Sequence, residues 1–220
     1  YKKHDVGVDF VGHPLLDAIA KKSTSSSGLP VKPYIAILPG SRKQEISRML
    51  PVMLSLKKEF PDYPFVIAGV SSHPLSYYQS LMKGSDDQLV FGRTYDILAN
   101  AYAAVVTSGT ATLETALFRV PQVVCYKGSG VSYFIARRLI KISVKYISLV
   151  NLILDKAVVK ELIQSEMNRA NILTELKSLL EDQEKRKSMI HEYDELVKVL
   201  GGPGASERTA GHIAERMKEI

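Results

Sequence analysis

The chain is poor in the features that would announce several kinds of chemistry. It has a single cysteine in 220 residues, so no internal disulfide can form, a usage that suits a reducing compartment. That residue, Cys125, sits in the apolar run Gln122-Val123-Val124-Cys125-Tyr126, where a small core residue is expected rather than a nucleophile. The histidines His4, His13, His73, His191 and His212 are scattered without metal-ligand spacing, so neither a metal nor a cofactor is expected. No Ser-His-Asp signature and no pair of carboxylates placed for general acid–base work is visible, so the base of any enzymatic step is expected outside this chain. No apolar run reaches the length of a membrane-spanning helix. No signal peptide is expected, and the start at Tyr1 reads as an internal cut in a longer polypeptide. Repeats and low-complexity tracts are also lacking.

What is there is an ordinary globular composition, 45% hydrophobic and 24% charged, with a net charge of +6. The positive balance favours anionic partners: a phosphorylated ligand, an anionic lipid surface or nucleic acid. No aromatic-rich basic motif supports nucleic acid, and none is expected as a partner.

The apolar runs Tyr34–Leu38, Phe65–Ala68, Leu89–Phe91, Ala103–Val106 and Gln122–Tyr126 read as strands. Helical patterns lie between them: Gln44–Glu59, Pro74–Lys83, Tyr95–Ala101 and Thr110–Phe118. Strand and helix alternating at this interval mean an α/β fold with a parallel, doubly wound sheet. Pro51 interrupts the first pattern, so its main helix is expected to start near Leu50 after a looser turn. Val6–Val11 reads as a further strand and Leu15–Lys21 as a short helix. Ser132–Ile142 is a basic amphipathic helix, packed on the sheet with a basic outer face or set against anionic lipid. Short elements follow at 151–154 and 158–164. Helices are expected at Arg169–Glu181, Glu184–Leu200 and Ala205–Met217. The division is therefore a Rossmann-like domain over 1–165 and a helical extension over 166–220. The partner of the extension is left open between this domain, a missing N-terminal half and a second copy in a homodimer.

Two stretches carry chemistry. Leu38-Pro39-Gly40-Ser41-Arg42 follows a strand and opens a helix. Gly40 permits close backbone approach, Ser41 brings a hydroxyl, and Arg42 a planar fork suited to phosphate oxygens, with Glu45 able to hold it. On this loop alone, a phosphate site and a plain strand-to-helix turn stand level. The second stretch, Ser108-Gly109-Thr110-Ala111-Thr112-Leu113-Glu114, is more specific. A helix start built of small residues bares backbone N–H groups to an anion. Glu114, a turn further on, is placed to accept hydrogen bonds from a ribose diol. Taken alone, Asn151 reads as a cap, while Glu161 and Gln164 read as facing water.

Taken together in order, Phe10-Val11-Gly12-His13-Pro14, Leu38 to Ile46, Ser108 to Glu114, Pro121 to Tyr126, Tyr146 to Leu152 and Lys160-Glu161-Leu162-Ile163-Gln164 resemble the lipid A disaccharide synthase family. The resemblance runs from about residue 6 to 165 and more weakly to the end. It implies one half of a GT-B glycosyltransferase, the half that holds the UDP-sugar. It implies an inverting, metal-independent transfer from UDP-2,3-diacylglucosamine to lipid X, on the cytoplasmic face of the inner membrane of Gram-negative bacteria. It places Gly40, Ser41, Arg42, Ser108, Gly109, Thr110 and Ala111 around the diphosphate and Glu114 on the ribose. Asn151 and Gln164 would line the pocket. The acidic general base and the acceptor site would belong to the other half. Two alternatives are another GT-B UDP-sugar enzyme, an epimerase or a UDP-GlcNAc transferase, and a non-catalytic UDP-binding or membrane-docking module.

Overall fold

The structure is a computed structural model and describes residues 8–128 and 145–218. In chain order its elements are α1 (Pro14–Ala20), β1 (Ile35–Leu38), α2 (Lys43–Leu54), β2 (Phe65–Gly69), α3 (Leu75–Met82), β3 (Gln88–Phe91), α4 (Thr94–Asn100), β4 (Ala103–Thr107), α5 (Thr110–Leu117), β5 (Gln122–Tyr126), α6 (Leu149–Leu154), β6 (Lys160–Ile163), α7 (Arg169–Glu181), α8 (Gln183–Val199) and α9 (Ala205–Lys218). They group into two compact units, one of residues 24–193 and one that joins 1–23 to 194–220.

The larger unit is built on one sheet of order β3-β2-β1-β4-β5-β6, and every neighbouring pair is parallel. Both faces of such a sheet are covered, so its central strands read as unbroken apolar runs instead of alternating ones. That is why Ile35–Leu38 and Ala103–Val106 are buried at every position. Each buried Ile or Val side chain stabilises the fold by roughly 1.5–3 kcal/mol relative to solvent exposure. Helix α7 packs on β5, β4 and β6. The order reverses direction between β1 and β4: from β1 the chain moves outward through β2 to β3, then returns to β4 on the other side. A crevice opens at the carboxyl ends of two strands that diverge in this way.

Two expectations are corrected. Helix α2 begins at Lys43 rather than near Leu50, and Pro51 lies inside it. The start is pinned by Glu45, whose carboxylate accepts the Arg42 N–H. Ile46, Met49, Leu50 and Met53 form one buried stripe, and its burial offsets the single main-chain bond that proline removes. The described part of the expected first strand, residues 8–11, is not in a strand. Of these residues Val8 and Phe10 are exposed, which removes the packing that holds a strand together. The basic helix expected at 132–142 lies outside the described residues.

In the smaller unit, Asp17 of α1 accepts hydrogen bonds from the backbone N–H groups of Gly204 and Ser206 at the start of α9. These bonds, Ser206 first, hold its carboxyl down to about 2 from an ordinary 3.8. A depressed folded-state value stabilises the fold above the unfolded value and loses that contribution as pH falls through the folded one. Hydrogen exchange at the Gly204 and Ser206 amides is therefore expected to rise as pH falls from about 4 to about 2, after correction for intrinsic rates. In Asp17→Asn that acid-dependent rise should vanish. The same rise in both proteins would refute the assignment.

Candidate functional site

The crevice between β1 and β4 is where the two motif stretches meet. β1 pairs with β4 in register up to Leu38 and Val106, so the loops that leave these strands start side by side. Gly40, Ser41, Glu45, Thr107, Ser108, Gly109, Thr110, Ala111 and Glu114 line one cleft of about 190 Å³, with Leu38, Ala68, Val70 and Thr94. Two segments almost 70 residues apart thus face each other across one opening.

On the β1 side the loop is tightly held. Gly40 has φ +102°, a conformation that side-chain-bearing residues rarely adopt. The Glu45 carboxylate accepts from the backbone N–H of Ser41 and of Arg42, both at 3.3 Å, and from Arg42 Nη1 at 2.9 Å. His73 Nε2 meets the Ser41 carbonyl at 3.0 Å, and Tyr77 donates its hydroxyl to the Lys43 carbonyl at 2.7 Å. The Arg42 side chain is 83% exposed and pairs with Glu45, and Arg42 is not among the residues that line the cleft. The three groups that donate to the Glu45 carboxylate are those a phosphate would use, so an incoming anion competes for them with a carboxylate already in place.

On the β4 side, Gly109 precedes the first turn of α5, and a Cβ added there would meet nothing within 4 Å. The N–H groups of a helix's first turn have no partner within the helix, and the aligned peptide dipoles add positive potential. Ser108 donates its hydroxyl to the Ile147 carbonyl at 3.0 Å, so that proton is directed at the chain and the backbone is what this side offers an anion. Glu114 accepts from the Tyr95 hydroxyl at 3.1 Å through Oε1. Burial raises the Glu114 carboxyl, against the lowering effect of the Tyr95 bond. Burial, then the neighbouring Glu114 charge, raises the Tyr95 hydroxyl to about 12. Glu114 is therefore a partly desolvated carboxyl group that lines the cleft and is held by Tyr95.

Two expected pocket residues stand elsewhere. Asn151 is buried inside α6, and its amide is taken up by its own chain. Oδ1 accepts from the N–H groups of Val158 and Val159, and Nδ2 donates to the Val159 carbonyl and to Glu161 Oε1, all at 2.9 Å. A direct ligand contact is replaced by a structural role, because these bonds use every donor and acceptor of the amide. Gln164 follows β6 with φ +54°. Its Nε2 is buried without a partner among the described residues, and the residue is not among those lining the cleft. Glu161, read from sequence as facing water, accepts from Ile147 N, Ser148 N, Ser148 Oγ and Asn151 Nδ2. Local spacing carries no signal for this cluster or for His73 and Tyr77, since each reaches a partner set by tertiary packing. Cys125 is buried, and desolvation raises its thiol to about 12, so it is an inert core residue.

A family model described as "Lipid-A-disaccharide synthetase" matches residues 1–215. A lipid-A-disaccharide synthase of Syntrophus aciditrophicus is 40% identical over 225 residues, covering 96% of this chain and 58% of that protein. The chain thus spans less than two thirds of the length of that relative. Among solved structures, S. aureus MnaA with UDP superposes with a TM-score of 0.61 at 17% identity, over 96% of this chain and 53% of that one. The glycosyltransferase SnogD of Streptomyces nogalater superposes at 0.54 and 19% identity, over 87% and 45%. These structural likenesses show the fold, a Rossmann-like sheet that forms about half of a GT-B chain. The family model, which matches nearly the whole chain, shows that this chain belongs to the lipid-A-disaccharide synthetase family.

Proposed function

We propose that this chain is the donor-binding half of a lipid A disaccharide synthase. The observation that carries the reading is the convergence, at the β1/β4 crevice, of the Gly40–Arg42 loop, the small-residue start of α5 and Glu114. Ser41, Arg42 and the backbone of Ser108, Gly109, Thr110 and Ala111 hold a UDP diphosphate between them. Glu114 accepts from the ribose hydroxyls. The complex of S. aureus MnaA with UDP supports a UDP site on this fold.

The reaction is a single displacement. The 6-hydroxyl of lipid X attacks the anomeric carbon of UDP-2,3-diacylglucosamine, the bond from that carbon to the diphosphate oxygen breaks with inversion, and the hydroxyl proton passes to a base. The base is assigned to the other half of the enzyme. Negative charge grows on the departing diphosphate, where Arg42 and the α5 start stabilise it more in the transition state than in the ground state. Among the described residues no helix is long and apolar enough to cross a membrane. Attraction of the positively charged surface to an anionic cytoplasmic membrane face brings the enzyme to its lipid substrates.

Titration of the chain with UDP is expected to give a Kd between about 1 μM and 1 mM, the ordinary range for enzyme substrates. No disaccharide should form when both lipid substrates are supplied to the chain alone. Absence of UDP binding would overturn the donor-site reading. Binding to anionic vesicles without UDP binding would favour a docking module instead, and turnover by the chain alone would overturn the division of roles.

A further inference from the structure

We infer that Glu161 is a positioning residue, which latches the segment 147–149 onto the start of α5 and so sets the geometry of the diphosphate site. This rests on the donor-site reading above. Glu161 lies on the edge strand β6 and does not line the cleft. Its carboxylate nonetheless collects four donors from one short segment. Oε2 accepts from Ile147 N at 2.9 Å, and Oε1 accepts from Ser148 N at 2.9 Å, Ser148 Oγ at 2.7 Å and Asn151 Nδ2 at 2.9 Å. Ser148 and Asn151 are almost wholly buried.

The segment held in this way reaches the anion-binding turn through two further bonds. Ser108 Oγ donates to the Ile147 carbonyl at 3.0 Å, and Leu149 N donates to Thr112 Oγ1 at 3.3 Å. Thr112 Oγ1 in turn donates to the Gly109 carbonyl at 2.8 Å. Glu161 is therefore two hydrogen bonds from both flanks of the Gly109–Thr112 turn. A carboxylate is suited to this post because it only accepts, and every group facing it donates. A carboxamide of the same shape would turn N–H groups against one of those donors and leave it unsatisfied, at a site where unpaired polar groups are costly.

The test uses Glu161→Gln, Ser108→Ala and the double variant of the full chain, with UDP as probe and hydrogen exchange as a second readout. Glu161→Gln is expected to raise exchange at the Ser108 and Thr112 amides in the ligand-free chain. It should weaken UDP binding by roughly tenfold, the size of one lost charge-assisted hydrogen bond. Because Glu161 acts through the Ser108 link, the double variant should lose less than the product of the two single losses. A merely structural Glu161 would lower thermal stability while leaving UDP affinity of the folded protein and exchange at α5 unchanged, and that result overturns the proposal. Losses that multiply in the double variant overturn it as well. If the parent chain binds no UDP, the donor-site reading falls, and exchange at Ser108 and Thr112 still decides whether the latch exists.

Discussion

Arg42→Ala is expected to lower kcat/KM of the complete enzyme by about 100- to 1,000-fold, the size of losing one preorganised donor to developing negative charge. The fold should be almost untouched. The guanidinium is 83% exposed and its ion pair is with Glu45, three residues on, and exposed pairs of this kind contribute about 0–1 kcal/mol. Activity and stability are therefore expected to separate cleanly in this variant. Arg42→Lys should recover only part of the loss, because an ammonium restores the charge without the planar fork that engages two phosphate oxygens at once. The loss should be larger in kcat than in the dissociation constant for UDP, since the charge to be stabilised grows as the bond to the anomeric carbon breaks. Steady-state kinetics, UDP titration and thermal melting of the three proteins check this. Near-normal turnover in Arg42→Ala would remove the arginine from the leaving-group site.

Gly40→Ala tests the same loop from the side of its backbone. Gly40 has φ +102°, and a Cβ built there would lie 2.7 Å from Glu45 Oε2 and 3.0 Å from Glu45 Cβ. The carboxylate tip can swing away, but only by releasing Ser41 N and Arg42 N, to which it is bonded. The Glu45 Cβ is fixed by α2. A left-handed conformation costs a side-chain-bearing residue about 1–2 kcal/mol, and the crowding at Glu45 adds to it, so a total destabilisation of about 2–4 kcal/mol is expected. Unlike Arg42→Ala, this change should lower the melting temperature and UDP affinity together, the latter by more than about tenfold, because the N–H groups of the loop are re-aimed. Unchanged UDP affinity with the loop substituted would show that the Gly40–Arg42 turn is not part of the ligand site.

These two residues stand out in the sequence as candidates because glycine and a charged fork follow an apolar run, although the loop alone fits a plain strand-to-helix turn equally well. The strands were legible outright. Ile35–Leu38 and Ala103–Val106 are buried on both faces, and a fully covered strand leaves an unbroken apolar run. The start of α2 was not legible. Pro51 signals an interruption locally, while the buried stripe from Ile46 to Met53 that overrides it depends on how the helix docks. Glu161 was misread for a related reason: a carboxylate on an edge strand looks like a solvated one until the partners brought by 147–151 are seen. Asn151 was expected at the ligand and instead bonds Val158, Val159 and Glu161.

The sequence by itself determined the fold class and the family, and it singled out two short stretches as candidates for phosphate-type chemistry. These properties follow from hydrophobic period, turn residues and residue type, all of which are local. Only the tertiary structure decided that β1 lies beside β4 although β2 and β3 come between them in the chain. That crossing places Gly40, Ser41, Ser108 to Ala111 and Glu114 around one cleft. It also decided what Glu161 and Asn151 do. The physical reason is that strand order and buried polar pairing are settled by contacts between residues far apart in sequence. Such contacts form only when the whole sheet closes over its core, and no local pattern records them in advance.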